Sequence, residues 1–219
     1  MENKPELDGA ILQRDKTTYA IVPRTPMGML TPEFLESLLE VVKKWDIPII
    51  KITSGQRIAL VGIPENKVDE VWDELGRNIG RATELCVHYV QACPGTSVCK
   101  LGVQDSLGLG GELEEEFLGE DYPAKVKIAV SGCPMCCAES KLRDVGVVGT
   151  KKGYDVYFGG NAGNKARIGD QIAASLTRDE AKETVRKILA YYKENARKRE
   201  RSARFCERVG IEAIKEAVL

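Results

Sequence analysis

The chain has 219 residues, 43% of them hydrophobic and 30% charged, and a formal net charge of −1. No apolar run approaches the roughly 20 residues that span a bilayer, and the near-neutral balance gives no global attraction to nucleic acid or to a membrane surface. What remains is one large domain or two small ones, in which any anion-binding role must come from local clusters of basic residues.

Residues 1–16 are polar and read as a flexible N-terminal arm. A β-rich run over 18–22 follows, then a turn over Arg24-Thr-Pro-Met-Gly28. Thr31 and Pro32 supply an N-cap and a first-turn proline. They open a helix on which Phe34, Leu35, Leu38, Leu39, Val41 and Val42 form one face. Strands are expected over 47–52 and 58–61, and Pro64-Glu-Asn66 opens a second helix with Val68, Val71, Trp72 and Leu75 inward. The order β-α-β-β-α over residues 17–80 predicts a small two-layer α+β unit.

Residues 81–219 differ in texture. A strand over 125–130 runs into Ser131-Gly-Cys133, and strands over 145–148 and 154–158 form a hairpin around Lys151-Lys-Gly153. Thr177-Arg-Asp-Glu180 matches a capping box and predicts a long helix to about residue 197. A last helix is expected over 207–218.

Five of the seven cysteines lie in two clusters, Cys93-Pro-Gly-Thr-Ser-Val-Cys99 and Cys133-Pro-Met-Cys-Cys137, separated by 33 residues. The N-terminal residues carry no apolar leader pattern, so a cytoplasmic, reducing setting is expected, in which clustered thiols serve as metal ligands or redox groups. Zinc knuckles use pairs spaced C-x2-4-C. The first pair is more open, although Cys133 and Cys136 alone would pass. An iron–sulfur cluster takes four thiolates around a larger body, and the spacing favours it over zinc. Lone cysteines are ordinarily buried and inert, which is the expected state of Cys86 and Cys206.

Four stretches resemble the siroheme-dependent sulfite and nitrite reductases, in their single-repeat, low-molecular-weight assimilatory form. They are Lys51-Ile-Thr-Ser-Gly-Gln-Arg-Ile58, then Gln91-Ala-Cys-Pro-Gly-Thr-Ser-Val-Cys99 followed by Gly102-Val-Gln-Asp-Ser106, then Val130-Ser-Gly-Cys-Pro-Met-Cys-Cys137 with Asp144-Val-Gly-Val147, and Gly159-Gly-Asn161. The resemblance implies a ferredoxin-like half-domain over 17–80 and a mixed α/β siroheme and [4Fe–4S] domain with C-terminal helices over 81–219. It implies that Cys93, Cys99, Cys133 and Cys137 ligate a [4Fe–4S] cluster, with Cys137 also bridging to the siroheme iron. Cys136 departs from the family pattern and competes with Cys137 for that role.

Siroheme carries eight carboxylates and needs hydrogen-bond donors. By the resemblance these include Thr53, Gln56, Arg57 and Asn161, and with Gly55 in place of a further arginine, Lys165 and Arg167 are candidate replacements. Lys125 and Lys127 stand two apart on a predicted strand and so share a face. They match the family's K-x-K substrate lysines, and Arg24 and His88 are further candidates beside the substrate. The implied reaction is the six-electron reduction of sulfite to sulfide. Alternatives are nitrite reduction to ammonia at the same site, or a siroheme-free iron–sulfur electron carrier. No G-x-G-x-x-G follows a predicted strand, so electrons are expected from an external donor such as ferredoxin. A single repeat leaves both a homodimer and a monomer open.

Overall fold

A computed structural model describes residues 7–76 and 79–219. The chain forms two compact units, Met1–Glu84 and Leu85–Leu219.

The first unit contains β1 (Ala10–Leu12), β2 (Thr18–Ile21), α1 (Pro32–Lys44), β3 (Ile49–Ile52), β4 (Ile58–Pro64) and α2 (Val68–Glu74). Its four strands form an antiparallel sheet in the order β1-β2-β4-β3, so the expected β-α-β-β-α order is present with one further strand at its edge. Thr31 Oγ1 accepts from Phe34 N at 3.2 Å and caps α1, with Pro32 in the first turn and Lys43 and Lys44 in the last, where cations suit the helix dipole. Leu38 and Val41 of α1 and Val68, Val71 and Trp72 pack with Tyr19, Ile21 and Leu60 into one apolar core.

Three expectations need correction in this unit. Leu35 and Leu39 do not face the core but are exposed. Each lies one residue, about 100°, round the helix from its inward neighbours, and a helix on a small sheet buries only a stripe. The expected arm over 1–16 contains β1, which pairs with β2 through a tight turn. In that turn Asp15 Oδ1 accepts from Thr17 N and Thr18 N, each at 2.9 Å; residues 1–6 of the arm lie outside the described residues. The strand expected over 47–52 begins at Ile49 and is an exposed edge, with Ile47 buried ahead of it.

The second unit contains β5 (Val87–Ala92), α3 (Ser106–Phe117), β6 (Val126–Ser131), β7 (Val145–Thr150), β8 (Gly153–Phe158), β9 (Asp170–Leu176), α4 (Arg178–Asn195), α5 (Ser202–Val209) and α6 (Ile211–Val218). Its sheet runs β5-β6-β7-β8-β9, parallel over the first three strands and antiparallel over the last three. Val126, Ile128 and Val130 point to a core with Leu109, Leu113, Ile188 and Tyr192. The capping box holds as expected, with Thr177 N donating to Glu180 Oε2 at 2.8 Å and Glu180 N donating to Thr177 Oγ1 at 3.3 Å. The helix expected over 207–218 is two helices. Gly210 sits between them at φ +87°, ψ 143°, a conformation open to glycine and costly for other residues. No helix among the described residues is long and apolar enough to cross a membrane.

Candidate active site

Parallel pairing decides where the thiols go. Cys93 directly follows β5 and Cys133 lies two residues beyond β6, so neighbouring strands deliver the two clusters to one end of the sheet. Carboxyl ends of parallel strands are the usual ligand sites of such sheets. Gly132 N donates to Cys93 Sγ at 3.1 Å, and Ser106 Oγ donates to Cys93 O at 2.7 Å. Glycines let the two loops press together. A Cβ at Gly132 would stand 2.6 Å from Gly95 Cα, and one at Gly102 would stand 2.5 Å from Gly95 C. No side chain fits in either place, so these glycines hold the backbone amides around the thiols.

The second loop turns tightly. Cys136 N donates to Cys133 O at 3.1 Å with Cys136 at φ +56°, and Ala138 N is anchored on Ser131 Oγ at 3.2 Å. Cys99 and Cys137 are exposed, Cys93 and Cys136 half-buried, and Cys133 buried. No disulfide joins any of the seven cysteines. Among the described residues no three Cys, His, Asp or Glu side chains converge on a single metal ion. A [4Fe–4S] cluster spreads four thiolates around a larger body, and amides donating to sulfur are the surroundings such clusters use. The five soft thiols on these two loops, one of them accepting from a backbone amide, suit that group. Cys86 and Cys206 are buried in the core, where desolvation pushes the Cys206 thiol up to about 12.

The face of the second sheet opposite its core is polar. Lys127 stands beside Tyr89, its Nζ 5.8 Å from the ring centroid. Lys127 N donates to Asp144 Oδ2 at 3.0 Å. Asp144 is 1% exposed and also accepts from Arg201 Nη2 at 3.0 and 2.9 Å and from Ser202 Oγ at 2.5 Å. Burial first, and then the Arg201 cation, hold the Lys127 ammonium below the usual lysine range, with Asp144 opposing them. Arg143, 5% exposed, donates to Gln91 Oε1 at 3.1 and 2.9 Å and pairs with Glu139 at 2.7 Å. His88 is buried where the β5–β6 register shifts. Lys125 is half-buried just ahead of β6.

In the first unit, Thr53, Gln56 and Arg57 form the turn between β3 and β4. Thr53 N donates to Arg57 O at 2.8 Å and Arg57 N to Thr53 Oγ1 at 3.2 Å. Gln56 adopts φ +59°, and its buried Oε1 has no hydrogen-bond partner among the described residues. An orphaned buried amide oxygen costs free energy unless something completes it. Arg57 is 7% exposed and donates to Arg81 O at 2.7 Å, so it is no solvated strand residue. Arg24 is half-buried ahead of a 3-10 turn over Pro26–Gly28.

Asn161 closes its own loop in the second unit. Its Nδ2 donates to Lys165 O at 2.7 Å, and its Oδ1 accepts from Gly163 N at 3.2 Å. Lys165 lines a cavity of about 320 Å³ with Asn161, Arg201, Arg204 and Glu207. Arg167 instead pairs with Asp170 and donates to Gly159 O. Tyr89, Gln91, Arg143, Asp144 and Arg201 make the contacts around these positions, and the spacing of the motifs does not mark them. Gln91 lies in the first cysteine motif and Asp144 after the second, and for Gln91 the available signal is a polar residue within a largely apolar run.

Residues 11–78 match the family described as Nitrite/Sulfite reductase ferredoxin-like half domain, and residues 84–219 match the Nitrite and sulphite reductase 4Fe-4S domain. The chain is 59% identical over 219 residues to an assimilatory-type sulfite reductase of Nitratidesulfovibrio vulgaris, covering 100% of both. It is 40% identical to the nitrite reductase [NAD(P)H] of Bacillus subtilis, over 95% of this chain and 26% of that one. Among solved structures, dissimilatory sulfite reductase I aligns with a TM-score of 0.82 at 17% identity, over 92% of this chain and 69% of that chain. The Mycobacterium tuberculosis NirA protein aligns with a TM-score of 0.80 at 19% identity, over 98% and 43%. The two structures establish a shared fold, and the two matched domains with the full-length likeness establish the family: the chain belongs to the nitrite and sulphite reductases.

Proposed function

We propose that this chain reduces sulfite to sulfide in six one-electron deliveries. The carrying observation is the 59% identity to an assimilatory-type sulfite reductase with nothing left over in either chain, whereas the nitrite reductase of B. subtilis is matched over 26% of its length. The cofactors are those of the family, a [4Fe–4S] cluster and siroheme. Cys93, Cys99, Cys133 and Cys137 would hold the cluster, and Cys137 would also serve the siroheme. Together the cofactors supply low-potential electrons and an iron that binds the anion.

The chain's own residues supply charge, orientation and protons. Lys125 and Lys127 hold the oxyanion and offset its charge, with Arg24 and His88 as further donors. Lys127 also acts as a proton donor to departing oxygens, a role suited to an ammonium held below the ordinary lysine range. Asp144 fixes the Lys127 backbone from behind. Thr53, Gln56 and Arg57 serve as siroheme partners, Gln56 through its orphaned oxygen toward a protonated or water-bridged carboxylate. Asn161 contributes through the loop it closes.

The donor in this reading is an external one-electron carrier such as ferredoxin. Seven cysteines without a disulfide suit a reducing cytoplasm. For a homodimer, the exposed β3 edge with Ile49, Ile50 and Ile52 is the apolar surface a second copy would cover, and sedimentation velocity reads the mass directly.

Protein purified without oxygen is expected to show tetrapyrrole absorption in the red and to turn over sulfite with a reduced dye at a higher kcat/KM than nitrite. A protein without the tetrapyrrole bands would sink the proposal, and a higher kcat/KM for nitrite would make it a nitrite reductase. Because the Lys127 pKa is lowered, the protonated donor is lost as pH rises, starting below the roughly 10.4 of a free lysine. The alkaline limb of sulfite kcat/KM should therefore fall below that value. Lys127→Arg should keep the charge and lose the limb, and Lys127→Ala should cost about 10²-fold. A Lys127→Ala rate equal to wild type would remove Lys127 from the site.

A further inference from the structure

Three adjacent parallel strands end together, and each is followed by a residue of consequence. β5 is followed by Cys93, β6 by Gly132 and Cys133, and β7 by Lys151 and Lys152. Two strand spacings, about 10 Å, separate β5 from β7. The hairpin turn and the thiol loops are also stitched together. Gln104 Nε2 donates to Thr150 O at 2.9 Å, Gln104 N to Gly132 O at 3.0 Å, and Thr96 N to Gln104 O at 3.2 Å. Gly149 completes the seam, since a Cβ there would stand 2.8 Å from Gly132 O. Lys151 and Lys152 line an open groove of about 490 Å³ with Gln104, Asp105, Tyr154 and Arg178.

The charge at this end of the sheet is one-sided. Lys100, next to Cys99, and the Lys151–Lys152 pair are exposed and make no ion pair among the described residues. The acidic residues nearby are already used, Asp105 by Arg178 at 3.0 Å and Glu139 by Arg143 at 2.7 Å. A cluster of like charges whose acidic neighbours are already paired steers an oppositely charged protein toward it. A small anion has less to gain here, because the N-termini of α3 and α4 are capped from within by Asp105 and Thr177.

We propose that this basic edge, Lys100 with Lys151 and Lys152, is the docking surface for a small acidic iron–sulfur protein that delivers electrons one at a time. The inference rests on the reading of the chain as an externally driven reductase. In each encounter the carrier is oxidised by one electron and the cluster held by the thiol loops is reduced by one. No bond forms or breaks and no proton moves, and six encounters supply one sulfite. Opposite charges raise the encounter rate and leave the partner free to dissociate, which repeated delivery requires.

The test uses the cofactor-loaded enzyme and its K151E/K152E variant, with sulfite reduction driven either by reduced methyl viologen or by a purified acidic low-potential ferredoxin. Wild-type turnover at limiting ferredoxin should fall steeply with ionic strength. The double variant should lose at least about tenfold of it at low salt while dye-driven turnover stays within about twofold. K187E, on the exposed face of α4, changes the net charge elsewhere and should leave both rates alone. Direct titration of oxidised ferredoxin onto each protein reports docking without turnover. Equal ferredoxin-driven rates or equal ferredoxin affinities in wild type and K151E/K152E would overturn the docking surface, as would an equal loss in K187E. Absent dye-driven turnover in wild type overturns the proposed reaction instead.

Discussion

Cys137→Ser is expected to abolish sulfite reduction, by on the order of 10³-fold or more, while Cys136→Ser stays within about threefold of wild type. The two thiols are neighbours, yet the backbone treats them differently. Cys136 is the residue that turns the loop, at φ +56° with its N–H closing on Cys133 O, and it is half-buried; Cys137 follows the turn and is exposed. A serine hydroxyl keeps the size of the side chain but is a hard, neutral donor where a soft thiolate is needed. Serine tolerates the turn position as cysteine does. At Cys137 it removes a thiolate proposed to serve both the cluster and the siroheme. Iron and acid-labile sulfide content should drop in Cys137→Ser together with the visible absorption, and should be retained in Cys136→Ser. The reverse pattern would exchange the two assignments. Cys93→Ser should match Cys137→Ser in cluster loss, and its buried backbone contacts to Ser106 and Val130 would survive.

The ferredoxin-like unit was legible because its signals are local. Thr31 with Pro32 starts α1, and Val68, Val71 and Trp72 repeat at helical spacing. The second unit hid three elements for separate physical reasons. β5 places His88 and Gln91 inside a buried strand, which breaks the apolar run that marks such strands. α3 holds Gly108, Gly110 and Gly111, which read as a loop. It survives because Asp105 caps it at Gly108 N and Leu109, Leu113 and Phe117 bury against the sheet. β9 carries an irregular register against β8, so its alternation does not hold. At the site, the thiols and the Lys125–Lys127 pair are spacing signals and could be read from the chain. The polar support behind them could not, because Arg143 reaches Gln91 across 52 positions and Arg201 reaches Asp144 across 57. Arg201 also stands in a charged run that looks like ordinary solvated surface.

That support makes Asp144→Asn the second large effect. The Asp144 carboxylate is acceptor-only and faces donors on every side: Lys127 N, both bonds from Arg201 Nη2, and Ser202 Oγ. Asparagine keeps one oxygen and turns an NH2 toward a donor, while Arg201 loses its counter-charge. Breaking a buried pair costs about 3–5 kcal/mol. Arg201 is 30% exposed and partly solvated, so about 2–4 kcal/mol is expected, lowering Tm by roughly 10 °C. The second consequence is chemical. Lys127 is faced by Arg201, Lys125 and Arg143, which disfavour its charge, by the Tyr89 ring, and by Asp144, which favours it. Removing the carboxylate charge lowers the Lys127 pKa further, so the proton donor is lost at lower pH. The alkaline limb of sulfite kcat/KM should move down in Asp144→Asn. Ser202→Ala, which removes one neutral donor, should cost about 1 kcal/mol and leave the limb in place. A destabilised Asp144→Asn enzyme whose limb coincides with wild type would reduce Asp144 to a structural tie between β6 and α5. A shifted limb would make it the group that keeps Lys127 protonated while sulfite is bound.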